Sequence, residues 1–179
     1  MKTLLLRTVP ATIALFFVCL LANAKSDTAS WRIFSNRAGW SISYPANWRI
    51  SSCRSCPDPR APNVFVDFFP PQNADGWVMV EHLQDKPPTT NIDAWFNELK
   101  KTANLNPQIN EERLTLNNLP ALKVRYRNPD GTVMEEVYVV FSSKTFEVSF
   151  SGGRSEAIEK LTNYAIYLRM LSTFKVNGR

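Results

Sequence analysis

Apolar positions recur along this chain at two different spacings, and the spacing divides it into strands and helices. From residue 31 to residue 83 the period is two. Trp40, Ile42 and Tyr44 alternate with Ser41 and Ser43, the mark of a strand with one buried face. Short strands are predicted at 31–34 and 40–44 around a turn at 36–39. Pro45 ends the second, and extended chain resumes at 48–50. The stretch 63–69 is almost continuously apolar (Val64, Phe65, Val66, Phe68, Phe69), which predicts a strand covered on both faces. Pro70 and Pro71 stop it, and a further strand with large residues on both faces is predicted at 76–83.

The period then lengthens. Asn91 is placed to cap a helix over 92–104, with Asp93 favourable in its first turn. Trp95, Phe96, Leu99 and Ala103 make its buried stripe, and Pro107 bars continuation. A polar, edge-like strand follows at 109–116. Strands at 121–127 and 132–141 flank Asn128-Pro129-Asp130-Gly131, a loop with Pro and Gly where a type I-based turn wants them. Pairing Arg127 with Thr132 puts Leu122, Val124 and Tyr126 on the face of Val133, Val137 and Val139. The same register sets Glu136 against Lys123 as a cross-strand ion pair. A strand at 144–151 runs through Phe146, Val148 and Phe150, and Gly152-Gly153 breaks it. A long helix is predicted at 155–172 with Ile158, Leu161, Ala165, Leu168 and Leu171 as its stripe, before a short extended piece at 173–176. Strands, a helix, hairpin-linked strands and a last helix read as α+β, a central antiparallel sheet with helices packed on it.

The N-terminus adds a compartment. Lys2 and Arg7 precede an apolar run at 11–21 interrupted only by Thr12, and Ala22-Asn23-Ala24 follows. This is the pattern of a secretory signal, and the run is too short for a comfortable membrane span. An uncleaved anchor is the alternative. Phe17 and Val18 before Cys19 rule out a lipoprotein site. The expected organisation is a signal peptide at 1–24 and a single domain at 25–179, exported to a periplasm, the exterior or a thylakoid lumen, with no stable membrane span after cleavage. The chain carries a net charge of +5; setting aside Lys2 and Arg7 leaves 19 basic against 16 acidic residues, and no Lys/Arg run exceeds two. That balance argues against a nucleic-acid partner. A hydrophobic content of 44% with all five Trp beyond residue 24 argues for a folded globule.

Chemistry is sparse. Cys53-Arg54-Ser55-Cys56 is followed by Pro57, Pro59 and Pro62. A proline at 57 keeps Cys56 out of helical geometry, which a low-pKa redox helix needs. It also fills the position where haem attachment wants His. A structural disulfide in an oxidising compartment would contribute at most roughly 2 kcal/mol for so short a loop. A thiol-redox or thiol-sensing pair, free thiols, or a metal bound between chains are the alternatives. His82 is the only His and sits mid-strand, away from any nucleophile elbow. Glu111-Glu112 and Glu135-Glu136 are strand neighbours that point to opposite faces, so neither pair makes a two-carboxylate site by itself. No catalytic, cofactor or metal site is expected. Surfaces remain: Arg49, Arg54, Arg60, Lys123 and Arg125 are candidates for meeting an acidic protein partner, with a solvated face as the alternative. Trp48, Phe65, Phe69 and Trp77 are candidates for an aromatic groove that holds a small ligand or an interface, with core packing as the alternative.

Three stretches carry a resemblance. Ala38-Gly39-Trp40-Ser41-Ile42-Ser43-Tyr44-Pro45-Ala46-Asn47-Trp48 is similar to the opening strand and P-x-x-W turn of PsbP-like proteins. Asn118-Leu119-Pro120-Ala121-Leu122-Lys123-Val124-Arg125-Tyr126 resembles the start of their central strand, and 135–150 followed by a long helix and Thr173-Phe174-Lys175-Val176 matches their closing order. The resemblance implies an α/β/α sandwich around a central antiparallel sheet. It also implies docking or assembly roles like those of the photosystem II extrinsic subunit, exported bacterial relatives and a nuclear-transport factor that binds a small GTPase. The Cys53–Pro62 loop departs from the family, and no family functional residue carries over.

Overall fold

The computed structural model describes residues 30–52, 58–61, 65–71, 75–83, 91–102, 110–154 and 157–177. The expected signal segment, Cys53, Cys56 and Arg54 lie outside the described residues. The elements are β1 (Trp31–Ser35), β2 (Trp40–Pro45), β3 (Arg49–Ser52), β4 (Val66–Phe69), β5 (Trp77–Leu83), α1 (Ile92–Thr102), β6 (Asn110–Leu116), β7 (Leu119–Arg127), β8 (Val133–Phe141), β9 (Lys144–Ser151), α2 (Thr162–Thr173) and β10 (Lys175–Val176). Seven strands form one antiparallel sheet in the order β3-β4-β5-β9-β8-β7-β6, and β1-β2-β10 form a small one.

Alternation explains the small sheet. Trp40, Ile42 and Tyr44 are buried while Ser41 and Ser43 are half-exposed, and they join one core with Phe34, Phe68, Phe146, Phe150 and the inner side of α2. This core covers one face of the large sheet; call it the α2 face. The opposite face carries Leu122, Val124, Tyr138 and Val140, on which α1 lays Ile92, Trp95 and Phe96. Asn91 caps α1 as its side chain predicts: Oδ1 accepts from the Asp93 and Ala94 amides at 2.9 and 3.1 Å. Two hairpins use two-residue loops, Asn117-Asn118 and Ser142-Ser143, all four with positive φ, the backbone that matches strand twist.

Two expectations are corrected. The hairpin register is displaced by one residue: Arg127 pairs with Val133, Lys123 with Val137 and Val124 with Glu136. Gly131 is left-handed (φ 88°), and the Asn128 amide bonds the Thr132 carbonyl at 2.8 Å. The connection therefore consumes one residue more than a four-residue turn. Because helices cover both faces, charged residues do not collect on one side, and the apolar-set argument for register loses its force. Glu136 accordingly does not meet Lys123, which bonds Glu112 instead.

The last helix is also shorter than expected. A 3₁₀ turn spans Ile158–Lys160 and Leu161 is extended before α2 begins. Its buried side is Asn163, Tyr164, Tyr167, Met170 and Leu171, while Leu168 is 44% exposed. Tyrosine rings displace the aliphatic stripe because they bury more surface and can place a hydroxyl on a buried acceptor.

Candidate functional site

Strand β8 carries Glu135 and Glu136 inside an apolar run, and successive side chains on a strand point to opposite faces. Each acid therefore organises a different layer. Glu135, fully buried on the α2 face, receives Arg125 Nε at 3.1 Å and Nη2 at 2.6 Å, and the Tyr164 hydroxyl at 3.0 Å. Arg125 also donates to Tyr164 at 3.0 Å and to Glu159 on the 3₁₀ turn. Burial opposes the arginine's charge, but hydrogen bonds to Glu135 and Glu159 outweigh it and hold its pKa above the ordinary value. This network straps the 3₁₀ turn and α2 to the sheet.

Glu136 lies on the α1 face and is buried. It accepts hydrogen bonds from the Tyr126 hydroxyl at 2.5 Å and from the Tyr138 hydroxyl. Glu147 of β9 is buried opposite Tyr138, with Glu81 of β5 across from it on the other side and Glu136 as its diagonal neighbour. Burial first, then the charges of Glu136 and Glu81, push the Glu147 carboxyl up to about 8, against a lowering by Ser149. Burial raises Glu136 as well, while its two phenolic donors oppose the rise. The same surroundings push both phenols up, burial first and the neighbouring acids second. Tyr138 meanwhile packs its ring 4.7 Å from that of Trp95 and 6.1 Å from that of Phe96 on α1.

Further along the same face, beyond α1, the sheet presents aromatic and charged groups at β3, β4 and β5. Arg49 is exposed and sits 4.7 Å over the Phe69 ring, which stacks on Trp77 at 6.2 Å. Trp77 is 37% exposed. Asp67 neighbours them, its pKa raised by burial against the pull of Arg49.

The residues expected from sequence are thus divided. Phe69, Trp77 and Arg49 come together. Trp48 does not join them: it is buried in the core of the α2 face. Phe65 is half-buried. Arg60 lies apart, its carbonyl accepting from the Arg37 amide in a loop pinned to the β1–β2 turn by Asn36 and by an Arg37–Asp58 ion pair. Lys123 and Arg125 share one face, and each is already committed to acids of this chain. His82 is stacked 5.0 Å from Phe146. Among the described residues no group of three or more His, Cys, Asp or Glu is placed to hold a metal ion, and no helix is long and apolar enough to cross a membrane. Sequence reading missed Glu136 with Glu147, whose relation depends on the register of two strands. The signal available was an acid pair embedded in the apolar run 133–141.

No family model matches the sequence, and no curated protein does. Solved structures do share the fold. A solution structure of cyanobacterial PsbP (CyanoP) from Synechocystis sp. PCC 6803 superposes with a TM-score of 0.54 at 14% identity, over 88% of this chain and 98% of that one. A crystal structure from Bacteroides thetaiotaomicron gives 0.53 at 14% identity over 83% of this chain; the match spans about half, 49%, of that longer protein. The fold is PsbP-like, an α+β arrangement with two helices packed against antiparallel sheets.

Proposed function

We propose that this chain is an exported, non-enzymatic module that docks onto a protein partner at the cell envelope or in a thylakoid lumen, through the Arg49–Phe69–Trp77 cluster. The observation that carries the reading is that cluster: an arginine stacked on a half-buried ring beside a partly exposed tryptophan. Arg and aromatic side chains are the groups enriched at protein interfaces and at their energetic centres. The PsbP-like fold supports a docking role, and a structure with that fold is named as cyanobacterial PsbP. The signal pattern at 1–24 supports export, with 25–179 as one domain. Helices on the two sides of the large sheet suit an α/β/α sandwich. A thiol function for Cys53 and Cys56 has no structural observation in its favour, since both lie outside the described residues.

The test is capture of a C-terminally tagged chain from cross-linked native cells, followed by mass spectrometry. It compares the wild type with Trp77→Ala and Arg49→Glu. One stoichiometric partner that both variants lose supports the reading. Recovery of the wild-type protein without a partner ends the docking proposal, and a partner retained by both variants ends the assignment of the surface.

A further inference from the structure

Two carboxyl groups on the α1 face are placed where both cannot be charged without cost. Glu136 and Glu147 are diagonal neighbours on adjacent strands, each less than a tenth exposed. Among the described residues, these groups surround them. From β5 comes Glu81, opposite Glu147; from β8, Tyr138; from β7, Tyr126; from β9 itself, Ser149. Asp67 of β4 lies further along the same row, beside Arg49. On α1 the charged groups are engaged elsewhere: Asp93 bonds Arg113, Lys100 bonds Glu111 and Glu98 pairs with Lys101. Among the described residues no cation forms an ion pair with Glu136 or Glu147. The two phenolic donors on Glu136 favour its charged form, while Glu147 has a hydroxyl neighbour and two acids around it. The proton therefore belongs on Glu147, as when like charges share a site.

Tyr138 connects this pair to the helix. Its hydroxyl donates to Glu136, its backbone position is opposite Glu147, and its ring is the platform for Trp95 and Phe96. The geometry points to a pH-responsive latch: Glu136 and Glu147 keep one proton between them while α1 is docked, and removing that proton favours the state in which α1 has lifted and water reaches the pair. The linkage follows from solvation. In the lifted state Glu147 is hydrated and ionises near the ordinary carboxylate value. In the docked state it holds its proton up to about 8. The docked state then binds one more proton between these limits, so docking is strongest below about pH 4.5, weakens as pH rises, and levels off above about 8. One proton corresponds to a tenfold change in the docking equilibrium per pH unit within that window.

Hydrogen exchange of the purified protein reads this directly. Protection of Ile92–Thr102, corrected for the intrinsic rate, is followed from pH 5 to pH 9. The expected result is a fall approaching tenfold per pH unit up to about 8 and a plateau beyond, while β8 and β9 stay protected. In the double variant Glu136→Gln with Glu147→Gln, which mimics the neutral acids at every pH, the α1 protection becomes independent of pH. A flat wild-type profile overturns the latch, as does a slope that survives in the double variant. Carboxyl carbon titration of the wild-type protein by NMR needs no variant to fold. One glutamate titrating near 8 supports the latch, and all glutamates titrating below about 5.5 overturns it.

Discussion

Arg125 offers the sharpest test of how the two layers are joined. Replacing it with Met keeps the aliphatic volume and removes the charge, so Glu135 stays fully buried with the Tyr164 hydroxyl at 3.0 Å and the buried Tyr167 hydroxyl beside it. It loses two N–H bonds, at 3.1 and 2.6 Å, and its counter-charge. Removing one member of a buried pair costs about 3–5 kcal/mol, because the partner's desolvation is left uncompensated. The Arg125 side chain is 28% exposed, so water can follow into the space it leaves, and the expected loss is toward the lower end, about 3 kcal/mol. At about 3 °C per kcal/mol for a chain of this length, the midpoint of thermal unfolding falls by about 9 °C. Neutralising both members, Arg125→Met with Glu135→Gln, removes the stranded charge and recovers roughly 2 kcal/mol. Urea unfolding followed by far-ultraviolet circular dichroism measures both variants. A single variant that loses under about 1 kcal/mol, or a double variant no more stable than the single, refutes the claim that Glu135 is held by Arg125 rather than tolerated without it.

Two further outcomes follow from backbone geometry. Gly76→Ala must place a Cβ 2.4 Å from Phe150 Cζ and 2.9 Å from the Ser151 carbonyl at φ +83°. The left-handed backbone and the clash together cost about 3 kcal/mol in a thermal melt, and an unchanged melt contradicts the strand-start geometry. Asn91→Ala removes both cap hydrogen bonds of α1 and costs about 1 kcal/mol, with faster amide exchange confined to the first helical turn; loss spread evenly over the sheet contradicts it.

Much of this fold is legible locally. Alternation at Trp40, Ile42 and Tyr44 places β2, the Asn91 cap places α1, and the charged sequence of β6 suits the sheet edge it occupies. What could not be read locally is pairing. A single left-handed glycine at 131 shifts β7 against β8 and turns an expected Lys123–Glu136 ion pair into Lys123–Glu112 and a Glu136 bound by tyrosines. The aliphatic stripe of the last helix runs through Leu168 and passes over Tyr164 and Tyr167, although the buried acceptor at Glu135 draws the Tyr164 hydroxyl inward. The Arg49–Phe69–Trp77 cluster was half visible: its members stood out as surplus aromatics and cations, yet only strand order separates them from Trp48.

The adjacent acids of β8 also bear on how this chain can change over generations. Glu135 anchors one layer and Glu136 the other, so losing or gaining one residue before them within β8 would exchange their sides in a single event. Arginine would then face away from its carboxylate while a second acid entered the α2 core, and no single later substitution repairs both. Length variation in descendants of this sequence is therefore barred from 133–136 and left to the connections. Substitution is the only route of drift open to the strand that holds the two halves together.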